Sequence, residues 1–258
     1  MAYKQLKLWF DKELAIMLAD KILIIKSDFD ANSFISSIDK KVHTLELKDR
    51  VELFADELFD LLGKDYQHSI KVLLQILGPE NEKETGMFKE FYWIMPIAKL
   101  VEKYGLNDFE LSMQAIEEIT KRNTGEYTIR PYLENETDKT LSRMKLWSKS
   151  ENKHVRRLAS EGVRPRLPWA KKLTIFVEKP KAIIPILDNL KDDTSKYVQK
   201  SVANCINDIL KDNVEIGKEL IEDWNSATIG KERKWIIKHA LRNLLKANDA
   251  WALKMVEK

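Results

Sequence analysis

Apolar residues recur along the chain at the three-and-four spacing that puts them on one face of a helix. Leu47, Val51, Phe54, Ala55, Leu58 and Leu62 make one such stripe and Ile70, Leu73, Leu74 and Leu77 another, with Gly63 and Gly78-Pro79 as stops. Eight glycines and seven prolines in 258 residues leave little turn chemistry for a many-stranded sheet, whereas Leu, Lys, Glu and Ala are abundant. The chain is therefore expected to be all-α. The pattern predicts helices at about 5–25, 31–38, 47–62, 66–77, 87–103, 108–122, 126–133, 137–148, 152–161, 168–178, 181–190, 195–211, 214–223 and 229–245.

The second half carries a faint internal period. Three segments superpose without gaps: Lys153-His-Val-Arg-Arg-Leu-Ala-Ser-Glu, Lys196-Tyr-Val-Gln-Lys-Ser-Val-Ala-Asn and Lys234-Trp-Ile-Ile-Lys-His-Ala-Leu-Arg. Val155, Val198 and Ile236 coincide, at separations of 43 and 38 residues. Those are the spacings of two-helix HEAT-type repeats, each of which buries its apolar face only against its neighbours, so a curved solenoid is expected. Four positions on come Ala159, Val202 and Ala240, small or branched as a tight helix contact needs. Two further on the repeat turns polar, with Glu161, Asn204 and Arg242, one variable side chain per repeat where a groove could read a ligand. Arg157, Lys200 and Lys238 also share a register and are expected to form a row of cations suited to a phosphate backbone, or else an ordinary solvated face.

Charge is segregated. Residues 139–181 hold thirteen Lys/Arg against Glu151, Glu161 and Glu178, a net of +10, while residues 1–138 come to −8 and the whole chain to +3. The run from His154 to Trp169 packs in Arg156, Arg157, Arg164 and Arg166, with Pro165 and Pro168 stiffening the loop. Arginine's planar fork favours bidentate contact with phosphate or carboxylate, so the cluster reads as an anion site facing a polyanionic partner. The alternative is internal pairing with Glu161 and neighbouring carboxylates.

Other classes are excluded or weakened. One cysteine, Cys205, rules out an internal disulfide and fits a reducing cytoplasm. The N-terminal apolar residues are broken by Lys4, Lys7, Asp11, Lys12, Glu13 and Asp20, an amphipathic helix and not a signal peptide. No apolar run is long enough to span a bilayer. His43, His68, His154 and His239 are far apart, so no metal is expected, and a Gly-rich phosphate loop is missing.

Three stretches carry a resemblance. Gly125-Glu-Tyr-Thr-Ile-Arg-Pro-Tyr-Leu133, His154 to Ala170, and Tyr197 to Ile209 resemble motifs of the AlkC branch of DNA alkylation-repair glycosylases. Leu45-Glu-Leu-Lys-Asp-Arg50, Leu77-Gly-Pro-Glu80 and Gly86-Met-Phe88 extend the likeness into the N-terminal half. Glu-x-x-x-Arg-Pro at 126–131 and Glu-Gly-x-Arg-Pro-Arg-Leu-Pro-Trp at 161–169 are its most specific parts. The resemblance implies a HEAT-like-repeat DNA glycosylase that hydrolyses the bond to a cationic N-alkylated base, 3-methyladenine or 3-methylcytosine, in double-stranded DNA without a cofactor. A single domain is expected over 1–258, with N-terminal repeats at 1–125 and a groove-forming basic part at 126–258. Some relatives continue into an immunoglobulin-like domain; none is expected here. A monomer is expected, in a bacterial cytoplasm and on the nucleoid when bound to DNA.

On the family's pattern the catalytic acids are Glu126, Glu161 and Asp208, with Trp169 against the base or sugar and Arg130, Arg156, Arg157, Arg164, Arg166, Lys200 and Lys238 on the DNA. Each has a plainer reading. Glu126 opens a predicted helix and suits its dipole; Glu161 lies at i,i+4 from Arg157; Asp208 could be a solvated helix carboxylate; Trp169 could be core. His154 reads as a helix-start residue, because a cationic leaving group needs no imidazole acid. Trp147, Trp235 and Trp251 read as core. The competing function is a catalytically silent repeat scaffold that binds nucleic acid or an acidic protein through the same groove. Glu161 argues against it, since a pure phosphate groove would bind better without that charge. The residues alone are equally consistent with RNA.

Overall fold

The protein is described here by a computed structural model covering residues 4–85, 88–226 and 228–257. Gly86 and Met87 of the N-terminal likeness, and Lys258, lie outside the described residues. Every regular element among the described residues is helical, as the hydrophobic pattern predicts. The chain divides into two compact units, Met1–Thr128 and Ile129–Lys258.

The first unit holds α1 (Lys12–Ile25), α2 (Ala31–Lys41), α3 (Leu47–Leu61), α4 (Tyr66–Gln75), α5 (Phe88–Phe91), α6 (Met95–Tyr104) and α7 (Phe109–Thr120). Aspartates start four of them by accepting backbone N–H groups that have no partner inside the helix. Asp11 takes Glu13 and Leu14 N–H, Asp30 Ser33, Asp65 His68 and Asp108 Leu111. The apolar faces meet in a core where the Phe54 ring lies edge-on to Phe10 and Phe34, at 6.3 and 6.0 Å. Two predicted helices are divided. The 5–25 span becomes a 3₁₀ turn at Leu6–Trp9 and then α1, because the Asp11 side chain begins a new helix. The 87–103 span breaks at a 3₁₀ turn, Tyr92–Ile94, ahead of Pro96 in the first turn of α6.

The second unit holds α8 (Arg130–Asn135), α9 (Thr137–Trp147), α10 (Lys153–Glu161), α11 (Thr174–Glu178), α12 (Ile184–Leu190), α13 (Lys196–Asp212), α14 (Val214–Trp224), α15 (Lys231–Ala240), α16 (Arg242–Lys246) and α17 (Ala250–Val256). The repeat seen in the sequence is a packing register. α10 packs on α13 and α13 on α15, and Val155, Val198, Ile236, Ala159, Val202 and Ala240 are all fully buried along those contacts. Gly217 lets α14 approach α13, since a Cβ there would meet Leu210 Cδ2 at 2.5 Å.

Some expectations are corrected. Glu126 does not open a helix: residues 126–129 form a turn and the helix begins at Arg130, with Pro131 in its first turn. The 168–178 span is helical only over α11, because Pro168 and a left-handed Trp169 interrupt it. The 229–245 span divides at Leu241, and α17 follows it, started by Asp249, which accepts Ala252 N–H at 2.8 Å. Of the three tryptophans assigned to the core, Trp147 is buried. Trp235 is half-buried, stacked on His239 at 4.7 Å with Lys196 Nζ 3.6 Å above its ring. Trp251 is half-buried and donates to Glu222 at 2.7 Å.

Candidate functional site

α10 is positioned at both ends. Asn152 accepts His154 and Val155 N–H at its start, and the His154 ring is buried edge-on to Tyr197. At its end Gly162 lies so close to its neighbours that a Cβ would sit 2.7 Å from Ile129 Cγ2 and 2.9 Å from Met144 Cε. The last residue of α10, Glu161, is thereby held inside the unit at 5% exposure.

The loop that follows is built from both sides. Val163 and Leu167 point inward, and Leu173 N–H closes the loop onto Pro165 O at 3.1 Å. Arg130, expected on DNA, is buried and holds this loop: it donates to Arg164 O at 3.1 Å and to Lys171 O. At the tip, Trp169 has φ 65° and is 83% exposed, which removes the core reading of that residue.

Beneath the loop two acids meet on one cation. Arg164 Nη1 donates to Glu161 Oε1 at 2.7 Å and its Nε to Asp208 Oδ2 at 2.8 Å. Glu161 Oε2 accepts from Ser201 Oγ at 2.6 Å, and Ser201 in turn accepts from Ser160 Oγ at 2.7 Å. Arg157 Nη2 approaches Glu161 Oε1 at 3.5 Å, and Lys211 Nζ approaches Asp208 Oδ1 at 3.7 Å. Asp208 is 1% exposed, so it is not the solvated helix carboxylate that one reading allowed.

The two carboxyls are pushed in opposite directions. Burial drives Glu161 up, but Arg157, Arg164 and the Ser201 hydrogen bond outweigh it and hold the group below the ordinary glutamate range. Burial also drives Asp208 up, and there Arg164 and Lys211 do not offset it, so its proton affinity is raised.

The remaining expected residues fall into distinct environments. Arg156 pairs with Asp193 at 2.6 and 3.2 Å and donates to Ser150 O and Glu151 O, so its fork is engaged internally. Arg166 makes a bidentate pair with Asp212 at 2.6 and 2.5 Å. Arg157 is half-buried with its guanidinium 4.9 Å from the Tyr197 ring centre, while Lys200 and Lys238 are exposed. Internal pairing, the alternative read from sequence, thus holds for Arg156, Arg164 and Arg166, and Arg157 makes the expected i,i+4 pair with Glu161. Glu126 belongs to the first unit, where it is buried and accepts from Thr124 Oγ1 at 2.7 Å.

Sequence reasoning missed Ser201, Tyr197, Asp193 and Asp212. Ser201 left a signal, because it occupies the repeat position filled by Leu158 in the preceding repeat, where an apolar residue suits the packed face.

Residues 97–244 match the model of the DNA alkylation repair enzyme family. The chain belongs to this family. Within the family it is 35% identical to the Pseudomonas fluorescens alkylpurine DNA glycosylase AlkC, whose structure was solved bound to DNA containing an abasic site analog. The two superpose with a TM-score of 0.88 over 98% of this chain and 68% of AlkC. It is also 35% identical over 249 residues to the uncharacterized protein YhaZ of Bacillus subtilis (strain 168), spanning 96% of this chain and 67% of YhaZ. The AlkC-type likeness, drawn from motifs in both halves of the sequence, extends along almost the whole of this chain.

Proposed function

We propose that the protein is a DNA N-glycosylase that excises cationic N-alkylated bases, 3-methyladenine foremost and 3-methylcytosine second, from double-stranded DNA. The observation that carries this reading is the pair of buried carboxylates, Glu161 and Asp208, bridged by Arg164 under a basic loop. A phosphate-binding groove gains nothing from buried acids, whereas glycosidic hydrolysis does.

An alkylated base is positively charged and leaves readily, so little acid catalysis is needed. The barrier lies in the oxocarbenium character that develops at C1′, which a fixed anion stabilises. In the overall step the C1′–N bond breaks and its electron pair goes to the base, which departs neutral. Water forms the new C1′–O bond and gives up a proton to a carboxylate. Glu161, kept ionised by its arginines, suits the anion opposite the sugar; Asp208, with raised proton affinity, suits the acceptor of the water's proton.

Trp169 offers an exposed ring to a cationic base or the sugar, a contact of about 1–2 kcal/mol when desolvated. Arg157, Arg166, Lys200 and Lys238 present charge to the backbone, while Arg130, Arg156 and Arg164 shape the surface that receives it. Purified protein should release free 3-methyladenine from methylated duplex DNA, and Glu161→Gln and Asp208→Asn should each slow release at least ~tenfold with DNA binding retained. Tight binding by the wild type with no base released would replace this reading with the silent scaffold.

A further inference from the structure

Arg242 sits at the repeat position of Glu161 and Asn204, the one variable polar site per repeat. It begins α16, just past the end of α15. That turn is pinned to α13 beside Asp208: Asn207 donates to Ala240 O at 2.7 Å and accepts from Asn243 Nδ2 at 3.2 Å. The Arg242 guanidinium is half-buried and donates through Nη1 to His239 O at 2.8 Å. Its Nε and Nη2 have no hydrogen-bond acceptor, and no carboxylate lies within ion-pair distance of it, among the described residues. Arg156, Arg164, Arg166 and Arg233, by contrast, each meet a carboxylate. Asn204, one turn before Asp208 on α13 and also half-buried, makes no side-chain hydrogen bond among the described residues either.

A partly desolvated guanidinium with open donors and too little counter-charge is an anion site. Burial lowers the proton affinity of Arg242, Asp208 attracts it and Arg164 repels it, so the group is close enough to the acid–arginine cluster to feel both ends of that pair. A free carboxylate is a poor occupant there, because Asp208 already supplies negative charge nearby. The anion it fits is one delivered on a rigid polymer whose other charges the exposed Lys200 and Lys238 would meet.

We propose that Arg242 is a further DNA-binding residue, holding one backbone phosphate next to the alkylated nucleotide and thereby setting the sugar in register with Glu161 and Asp208. This rests on the glycosylase reading for the identity of the polymer. The role is one of positioning: Arg242 touches the phosphate, not the reacting carbon.

The test measures binding of wild type and Arg242→Gln to duplex DNA carrying a tetrahydrofuran abasic analog, across a range of salt. It uses a set of duplexes in which the phosphates around the lesion are replaced one at a time by neutral methylphosphonate. Arg242→Gln is expected to weaken binding about tenfold and to reduce the slope of log affinity against log salt by about one. It should also abolish the penalty that one particular neutral linkage imposes on the wild type. Arg242→Met, which keeps the aliphatic stem, serves the same comparison if the glutamine variant melts early. A wild-type slope together with wild-type sensitivity to every linkage would overturn the assignment. Base release by the wild type, measured in parallel, separates the two failures. If release occurs and Arg242 proves indifferent, only this inference falls; if no release occurs, the glycosylase reading falls on its own evidence.

Discussion

Glu161 and Asp208 accept hydrogen bonds from different nitrogens of the same guanidinium, at 2.7 Å from Arg164 Nη1 and 2.8 Å from its Nε. One positive charge cannot satisfy two buried negative ones equally. Arg157 and Ser201 fall to Glu161, and Asp208 is left with the more distant Lys211. The asymmetry in partners is the source of the asymmetry in proton affinity.

It follows that the two acids bend the stability curve in opposite directions. Glu161 has a lowered folded value, so its contribution is present above the ordinary 4.5 and is lost as pH falls through the folded value. Asp208 has a raised folded value, so its cost to stability grows as pH rises from the ordinary 3.8 through the folded value. Urea denaturation as a function of pH should show Glu161→Gln losing less stability than wild type on acidification. Asp208→Asn should gain on wild type as pH rises through the same region. Parallel curves for all three proteins would contradict the opposed shifts.

Arg130 holds the basic loop through two main-chain carbonyls, Arg164 O and Lys171 O. Replacing it with methionine should keep most of the buried volume and lose both charge-assisted bonds, a destabilisation of roughly 3 kcal/mol. The loop should then be cut by trypsin at Arg166, Lys171 or Lys172 much faster than in the wild type. Equal proteolysis rates would show that the prolines alone order the loop.

The close approach at Gly162 makes Gly162→Ala costly, because Ile129 is β-branched and its Cγ2 cannot swing away. Overpacking of this kind should destabilise by about 1–3 kcal/mol and, by shifting the end of α10, slow base release beyond what stability explains. A melting temperature within error of wild type would refute the contact.

Trp169 combines 83% exposure with a left-handed backbone. Trp169→Gly should relieve strain of about 1 kcal/mol, so the fold should be no less stable while base release falls at least ~tenfold. A variant that melts lower by several degrees would restore Trp169 to a structural role.

The helices were readable because period-3.6 apolar stripes and aspartate starts are local signals, and the repeat was readable because Val155, Val198 and Ile236 are buried by the same contact in three places. The breaks were not. Asp11 interrupts a continuous apolar stripe only through its side-chain bond to the backbone, and Trp169 does so through a backbone angle that residue type disfavours. The arginine cluster shows the other limit. Composition located it and named Glu161 inside it, but which arginine meets which acid is set by α13 and by the segment leading into it. Asp193, Asp208 and Asp212 lie 37, 44 and 46 residues from their partners. Spacing along the chain carries no trace of those pairs, so the sequence could not show that Arg156 and Arg166 engage Asp193 and Asp212.

The loop between α10 and α11 is fastened before any ligand arrives, through Arg130, the Leu173–Pro165 bond and inward Leu167, with an uncomfortable residue at its summit. A searching protein meets undamaged sequence far more often than lesions, and a floppy probe would have to be frozen at every trial. A loop fastened during folding would make each encounter cost little in lost motion, and a surface that does not adapt would reject a mismatch quickly. On the glycosylase reading proposed above, a Trp169 held in this way would set how fast the chain scans as well as how tightly it holds.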